Sequence, residues 1–363
     1  MYQFFKKWAF KKDAEDVHHF VISKLNYLNH LKFFRKLKNF KVDFVDQQIR
    51  SPFGIAAGLD KNAQAMNYFE TEPIGFLEVG TVTKLAQEGN PKPRLFRLLQ
   101  QESLLNRMGF NNDGLDLISA RVKKFAAQKK KTFALGINIG KNKNTPNDRA
   151  KFEYAELYKA LAPYADYLVI NISSPNTQGL RDLLNETGMR GIFEEVDKER
   201  TILTRPLFIK ISPDMQEADL DVVIKLSREF KLTGIIATNT TIMPEMGEGG
   251  VSGKLLFERA LKVRHYLLDQ IPLGSGLVVV GAGGFSEFEQ LIDFWRRGGS
   301  VVQIYSAYIF QGPQIFFDWE KKLVEEFRRL KVKTFSEYLL ALRSEYLISK
   351  SIESIPTTIH LKS

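Results

Sequence analysis

Tyr167-Leu168-Val169-Ile170-Asn171-Ile172-Ser173-Ser174-Pro175-Asn176 is the stretch on which the reading of this chain turns. Its first four residues are apolar and read as a strand buried on both faces. Two amides, two hydroxyls and a proline then crowd the strand's end. Buried polar groups cost free energy unless they are hydrogen-bonded. A strand tip that offers them to a ligand therefore explains the stretch better than core packing does.

The same pattern recurs along the chain. Short apolar runs ending in a polar or glycine cluster occupy 53–57, 74–79, 132–138, 167–172, 207–212, 234–239, 277–281 and 300–305. Helix-compatible stretches lie between them. In 219–230, Leu220, Val223, Ile224 and Leu226 mark an apolar face. Ser286 with Glu289 reads as a capping box opening a helix over 287–297. Continuous apolar strands separated by helices predict a parallel sheet covered on both faces. Eight such units predict an α/β fold, a (β/α)8 TIM barrel. A doubly wound open sheet is the rival and usually has fewer strands. The long gap between Val79 and Thr132 predicts an extended active-site loop as well as a helix.

Outside the barrel pattern the chain changes character, which predicts three parts: 1–42, 43–325 and 326–363. Residues 1–41 hold ten lysines and arginines against three acids, out of a net charge of +10 for all 363 residues. Phe4, Phe5, Trp8 and Ala9 share one side of a first predicted helix, and Val17, Val21, Leu25 and Leu28 recur at helical spacing in a second. No apolar run reaches the roughly 20 residues that span a bilayer. Lysines at 6, 7, 11 and 12 interrupt any secretion signal. Such a helical pair either lies on a membrane surface or packs under the barrel with its charges in solvent. After 325 the chain is basic, then helix-compatible over 335–348, and its polar end is expected to be weakly ordered. With no cysteine, disulfides, thiolate metal sites and cysteine nucleophiles are excluded. Five histidines without metal-ligand spacing point away from a metal centre.

Barrel enzymes carry their chemistry at the C-terminal ends of the strands. Those ends read Ala57-Gly58-Leu59-Asp60-Lys61, Gly80-Thr81, Asn138-Ile139-Gly140, Asn171 to Asn176, Lys210-Ile211-Ser212, Thr238-Asn239-Thr240, Ala282-Gly283-Gly284 and Tyr305-Ser306. Small residues admit a flat ligand, amides and hydroxyls bond it, and Lys61 and Lys210 place positive charge near the axis. Gly283-Gly284 ahead of a helix, beside Tyr305-Ser306, suits a phosphate. A phosphate with a polar planar ring suggests flavin mononucleotide, FMN. Each feature has a plainer reading: Ser174 as a turn cap before Pro175, Lys61 as a solvated helix-start residue, Gly283-Gly284 as a tight turn.

Lys61 in its Ala-Gly-Leu-Asp-Lys motif, Asn106-Arg107-Met108-Gly109-Phe110-Asn111, Asn171 to Asn176, Lys210-Ile211-Ser212-Pro213-Asp214, Thr238 to Thr241 and Gly249-Gly250-Val251-Ser252-Gly253 together resemble the dihydroorotate dehydrogenase family. The likeness runs in order from about Tyr2 to the barrel's last helix. It is closest to the membrane-associated, quinone-reducing class, because the soluble class uses a cysteine base where this chain has Ser174. The resemblance implies oxidation of dihydroorotate to orotate in pyrimidine (UMP) biosynthesis. Ser174 would be the catalytic base, with Thr177 and water carrying its proton away. Lys61, Asn106, Arg107, Met108, Gly109, Phe110, Asn171, Asn176, Asn239 and Thr240 would meet the substrate. Ala57, Gly58, Leu59, Asp60, Lys61, Thr81, Asn138, Asn171, Lys210, Thr238, Gly253, Gly284, Tyr305 and Ser306 would hold FMN. His18, Arg97 and Tyr305 would face a membrane quinone. The segment 242–249 is short for the family, and the end of the chain has no counterpart in it.

The resemblance also implies a monomer lying peripherally on the cytoplasmic face of a bacterial inner membrane, with no nucleic-acid partner. An RNA-modifying flavin barrel would account for the positive charge but would carry a cysteine acid. A non-enzymatic membrane-surface protein would leave the strand-end motifs unexplained.

Overall fold

The computed structural model describes residues 2–28, 37–128 and 131–353. All eight predicted runs form strands, labelled here β1 (Phe53–Ile55), β2 (Phe76–Val82), β3 (Ala134–Ile139), β4 (Tyr167–Asn171), β5 (Leu207–Ile211), β6 (Gly234–Ala237), β7 (Val278–Gly281) and β8 (Val302–Ile304). They close into one barrel in chain order, every neighbour parallel, with β8 pairing back onto β1. The closed ring rules out the open-sheet alternative. Strand residues buried on both faces explain the continuous apolar runs, as in Leu135, Ile137 and Ile139.

The N-terminal end of the barrel is plugged by aromatic rings. A hairpin, Val42–Phe44 with Gln47–Ile49, inserts Phe44 against Phe76, Tyr167 and Phe208 at ring-centre distances of 5.3, 5.6 and 5.9 Å. Glycines on neighbouring strands make the room. A methyl at Gly54 would lie 2.5 Å from the Phe76 ring, and one at Gly136 would lie 2.1 Å from Tyr167. Large rings opposite small residues fill a tapering barrel floor.

The opposite end is left to function, and a second sheet roofs it. The segment expected to be an extended loop contains a hairpin, Leu95–Leu98 with Ser103–Asn106. Gly250–Gly253 pairs onto Ser103–Asn106, and Thr241–Ile242 completes a four-stranded antiparallel sheet. The predicted helix after it is Gly114–Ala126.

Two N-terminal helices, α1 (Tyr2–Ala9) and α2 (Ala14–Leu28), stand beside this roof rather than under the barrel. Tyr2 donates its hydroxyl to the Ile309 carbonyl, and Lys6 donates to the Phe310 carbonyl at 2.7 Å. Ala14 packs with Leu95 and Met108. Glu15, almost fully buried, meets Arg94 at 2.7 and 2.9 Å. Burial alone raises the Glu15 carboxyl. The hydrogen bonds and charge of Arg94, with His19 and Lys92, outweigh it and hold the group at about 2. Phe4, Trp8 and Phe20 remain exposed, at 80%, 49% and 50%. No helix among the described residues is long and apolar enough to cross a membrane.

Two boundaries differ from expectation. The helix after β7 is Phe288–Arg296, capped one residue later than predicted: Gln290, not Glu289, accepts from the Ser286 and Glu287 N–H groups at 2.8 and 3.2 Å. The helix Gln314–Leu330 runs through residue 325. The next, Phe335–Glu353, packs Phe335 and Tyr338 on Trp295 and is well anchored in its first half. The polar end expected to be weakly ordered, 354–363, lies outside the described residues.

Replacing Glu15 by alanine strands Arg94 without its anion. The expected cost is about 3–5 kcal/mol, read as a lower denaturation midpoint with faster proteolysis in 2–28. Because the Glu15 pKa is depressed, the ion pair's contribution is complete above the ordinary carboxylate range and fades as pH falls toward 2. A variant as stable as the parent would show that the pair holds nothing in place.

Candidate active site

Between the strand tips and the antiparallel roof lies the principal pocket, with about 1160 Å³ of space counted out to its open mouth. Seven of the eight strands end at its wall, through Ala57 and Gly58, Thr81, Asn171, Lys210, Thr238 and Asn239, Ala282 to Gly284, and Tyr305 and Ser306.

Its floor is a single hydrogen-bonded network. At its centre is Glu78, on β2 and fully buried inside the barrel. Asn138 donates to Glu78 Oε1 at 2.7 Å, Gln303 donates to Oε2 at 3.0 Å, and Lys210 Nζ stands 3.6 Å from Oε1. Asn138 Oδ1 in turn accepts from Thr81 at 2.6 Å and from Asn171 at 2.9 Å. Asn239 donates to Asn171 Oδ1 at 3.3 Å and to Ser173 Oγ at 3.0 Å. The strand-end amides of β3, β4 and β6 are thus one continuous unit. Asn138 lies behind the pocket wall and orients the residues that face it.

Lys61 lines the pocket on the turn after β1. Burial pulls its ammonium down to about 8, with Glu15 opposing and Arg94 adding to the effect. Its neighbour Asp60 does not line the pocket. Asp60 accepts from the N–H groups of Gln64 and Ala65 at 2.7 and 2.8 Å, which fixes the turn; burial still lifts its carboxyl to about 6. Leu59 points into the core.

Under the roof, Asn176 donates to Asn106 Oδ1 at 3.0 Å, and Asn106 donates to the Gly250 carbonyl at 3.1 Å. Ser174 faces the pocket and accepts from the Asn176 N–H at 3.3 Å. Thr177 Oγ1 is buried and has no hydrogen-bond partner among the described residues. Of the segment 107–110, only Met108 and Phe110 reach the pocket. Arg107 turns outward to the Pro93 carbonyl and stacks on Phe96. Gly109 supplies the left-handed turn, at φ +70°. Side chains absent from the sequence reading hold this segment: Gln87 on the Gly109 and Phe110 carbonyls, and Asn90 on those of Arg107 and Asn176. Arg181 similarly ties Ser173, Asp214 and Thr240 together.

The three residues expected on the quinone side have different places. Tyr305 lines the pocket, and burial pushes its phenol up to about 12. His18, on α2, lies within electrostatic reach of Lys61; burial, then Lys61, holds its ring well below the usual histidine range. Arg97 sits on the outer hairpin, donating to the Lys12 carbonyl at 2.8 Å and stacking on Phe10. No cluster of His, Asp or Glu among the described residues could hold a metal.

Comparison with known proteins bears on the family and the fold. A sequence model described as Dihydroorotate dehydrogenase matches residues 39–327. A "Dihydroorotate dehydrogenase (quinone)" of Idiomarina loihiensis is 39% identical over 86% of this chain and 97% of its own. One of Dichelobacter nodosus is 43% identical over 73% of this chain and 81% of its own. A crystal structure of DHODH from Eimeria tenella in complex with ferulenol superposes with a TM-score of 0.79. It shares 30% sequence identity and covers 92% of this chain and 95% of that one. The chain belongs to the dihydroorotate dehydrogenase family.

Proposed function

We propose that this protein oxidises dihydroorotate to orotate on FMN and passes the electrons to a membrane quinone, as a step of pyrimidine biosynthesis. The observation that carries the reading is the single pocket with two chemistries. One half is lined by Lys210, Thr238 and the Gly283-Gly284 turn; the other, under the roof, by Asn106, Asn171, Asn176 and Ser174.

The first half fits FMN. Gln303 Oε1 is a buried acceptor at the pocket wall with no partner among the described residues, and it calls for a ligand N–H such as an isoalloxazine carries. Lys210 adds a cation beside a ring that becomes anionic on reduction. Ala57, Gly58, Thr81, Thr238, Gly253, Gly284, Tyr305 and Ser306 would make the rest of the cradle. What FMN supplies when bound is acceptance of a hydride from substrate C6 and release of the electrons toward a quinone.

The protein's own part is to hold the substrate and take the proton. Four amides, Asn106, Asn171, Asn176 and Asn239, with Thr240, would bond the pyrimidine ring. Lys61 would pair with the substrate carboxylate. Ser174 would take the proton from C5 as hydride leaves C6, creating the C5=C6 double bond. A serine hydroxyl is a weak base, so its own proton must leave in concert. The unpartnered Thr177 Oγ1, three residues on, would pass it outward. Met108 and Phe110 would exclude water.

For the second half-reaction, α1 and α2 would lie on the membrane surface. Exposed Phe4, Trp8 and Phe20 would enter the interface, and Lys7, Lys11 and Lys12 would meet anionic head groups. His18 and Tyr305 would face the quinone, and Arg97 would brace the entrance. We further propose that the protein works as a peripheral monomer on the cytoplasmic face of a bacterial inner membrane.

The purified protein should be yellow and should bleach anaerobically on addition of dihydroorotate. Ser174→Ala should keep the flavin but slow that bleaching by about 10²–10⁴-fold, the range for loss of a general base. Bleaching at the parental rate would remove Ser174 from the chemistry. Orotate affinity, read from the flavin absorption band, should weaken as pH rises through about 8, where Lys61 loses its charge. In Lys61→Met it should be weak and independent of pH over that range; retention of the transition would assign it to another group. Deleting residues 1–28 should slow reduction of a quinone analogue far more than flavin reduction by substrate. Equal slowing of both would give the segment a purely structural role.

A further inference from the structure

Arg264 is a buried cation with no ion-pair partner among the described residues. It lies on the helix Phe257–Gln270 and is fully buried, at 0% exposure. Among the described residues no carboxylate reaches it within ion-pair distance; Asp293 and Glu258 act on it only from farther away. Its guanidinium stacks on Phe285 at 4.2 Å and lies 5.4 Å from the Phe257 ring centre. Nη1 donates to the carbonyls of Ala282 and Gly283 at 2.7 and 2.9 Å. Nε and Nη2 have no hydrogen-bond partner among the described residues. Burying a charge uncompensated costs several kcal/mol. The two rings and two carbonyls offset part of that cost, and a ligand of opposite charge would offset more.

The two carbonyls indicate where such a ligand would sit. In a trans peptide the N–H points opposite to the C=O, and neither the 282–283 nor the 283–284 bond is cis. Drawing both carbonyls toward Arg264 therefore turns the N–H groups of Gly283 and Gly284 the other way. Both glycines line the pocket, at φ +89° and +85°. Neither N–H donates a hydrogen bond to a described residue. Two adjacent free N–H groups aimed the same way make an anion-binding concavity. Only glycine fits the second position, because a methyl at Gly284 would lie 2.4 Å from Phe257 Cα.

We propose that Arg264 is the positioning residue of the phosphate site. It grips the back of the 282–284 turn, aims the Gly283 and Gly284 N–H groups at the FMN phosphate, and finds its counter-charge in that phosphate across the turn. The role rests on the FMN reading above. It sets a selectivity: the pocket favours the phosphorylated flavin over riboflavin through a residue that need not touch either.

Full-length parent, Arg264→Met and Arg264→Lys, each stripped of flavin, would be titrated with FMN and with riboflavin by fluorescence quenching. Arg264→Met should weaken FMN binding by about tenfold or more, the usual loss for hydrogen bonding supported by a charge, and leave riboflavin within about twofold. Arg264→Lys should recover part of the FMN preference. Equal weakening of both flavins, or no change in either, overturns the proposal. Should Arg264→Met fail to fold, the phosphorus NMR signal of FMN in the parent holoenzyme decides. A phosphate facing a buried cation across the turn stays dianionic below its ordinary second pKa of about 6, whereas titration near that value overturns the role. A parent protein that binds neither flavin defeats the FMN reading itself, and this role with it.

Discussion

A carboxylate sealed inside the barrel, Glu78, needs partners, and the active site is arranged by the groups that supply them. An unpaired carboxylate at that depth would cost several kcal/mol. Three strands meet the need with Lys210, Asn138 and Gln303. Each partner thereby loses its freedom to rotate. Asn138, once fixed, fixes Thr81 and Asn171, and Asn171 fixes Asn239. The polar groups at the pocket wall are oriented before any ligand arrives, which is what a site that stabilises developing charge requires. Lys210 stands between pocket and carboxylate, so its cation is held in place and partly screened from behind.

A second buried charge pair joins the appendage to this frame. Arg94 donates to the Glu15 carboxylate of α2 and with its remaining N–H groups holds the carbonyls of Glu88 and Asn90. The Asn90 side chain then reaches the carbonyls of Arg107 and Asn176. From the N-terminal helix to the edge of the substrate pocket there are few links, each a buried or partly buried hydrogen bond. The bottom of the barrel shows the contrary design: Phe44 and its ring of aromatics are held by shape alone.

Much of this was legible in the chain, and the exceptions share a cause. The strands could be read because both faces are buried and the runs are uninterrupted. The strand-end amides could be read because polar residues there have no packing purpose. Glu78 escaped notice inside an apolar run, although a lone charge in such a run is itself a signal. Arg264 stands among other charged residues of its helix, yet it falls four residues after Ala260 and three before Leu267, on the buried stripe. The hairpin Leu95–Leu98 with Ser103–Asn106 lacks the glycine or asparagine turn that marks hairpins; its turn ends on Glu102 at φ +43°. Glu15 resembles any acidic residue in a first helical turn, and only its distant partner shows that it is buried. What escaped depends on contacts between residues far apart in the chain.

The four-stranded roof has a bearing on how the protein comes into being. Asn106 and the Gly250 carbonyl it bonds are separated by 144 residues. On a ribosome, the first hairpin and the first barrel strands emerge well before the strand that completes the roof. Until then the edge of Ser103–Asn106 lacks its partner, and an unpaired edge strand invites pairing with other chains. The substrate side of the pocket thus waits for residues 250–253 and the phosphate side for the still later strands β7 and β8, and until then the nascent chain is exposed to misassociation.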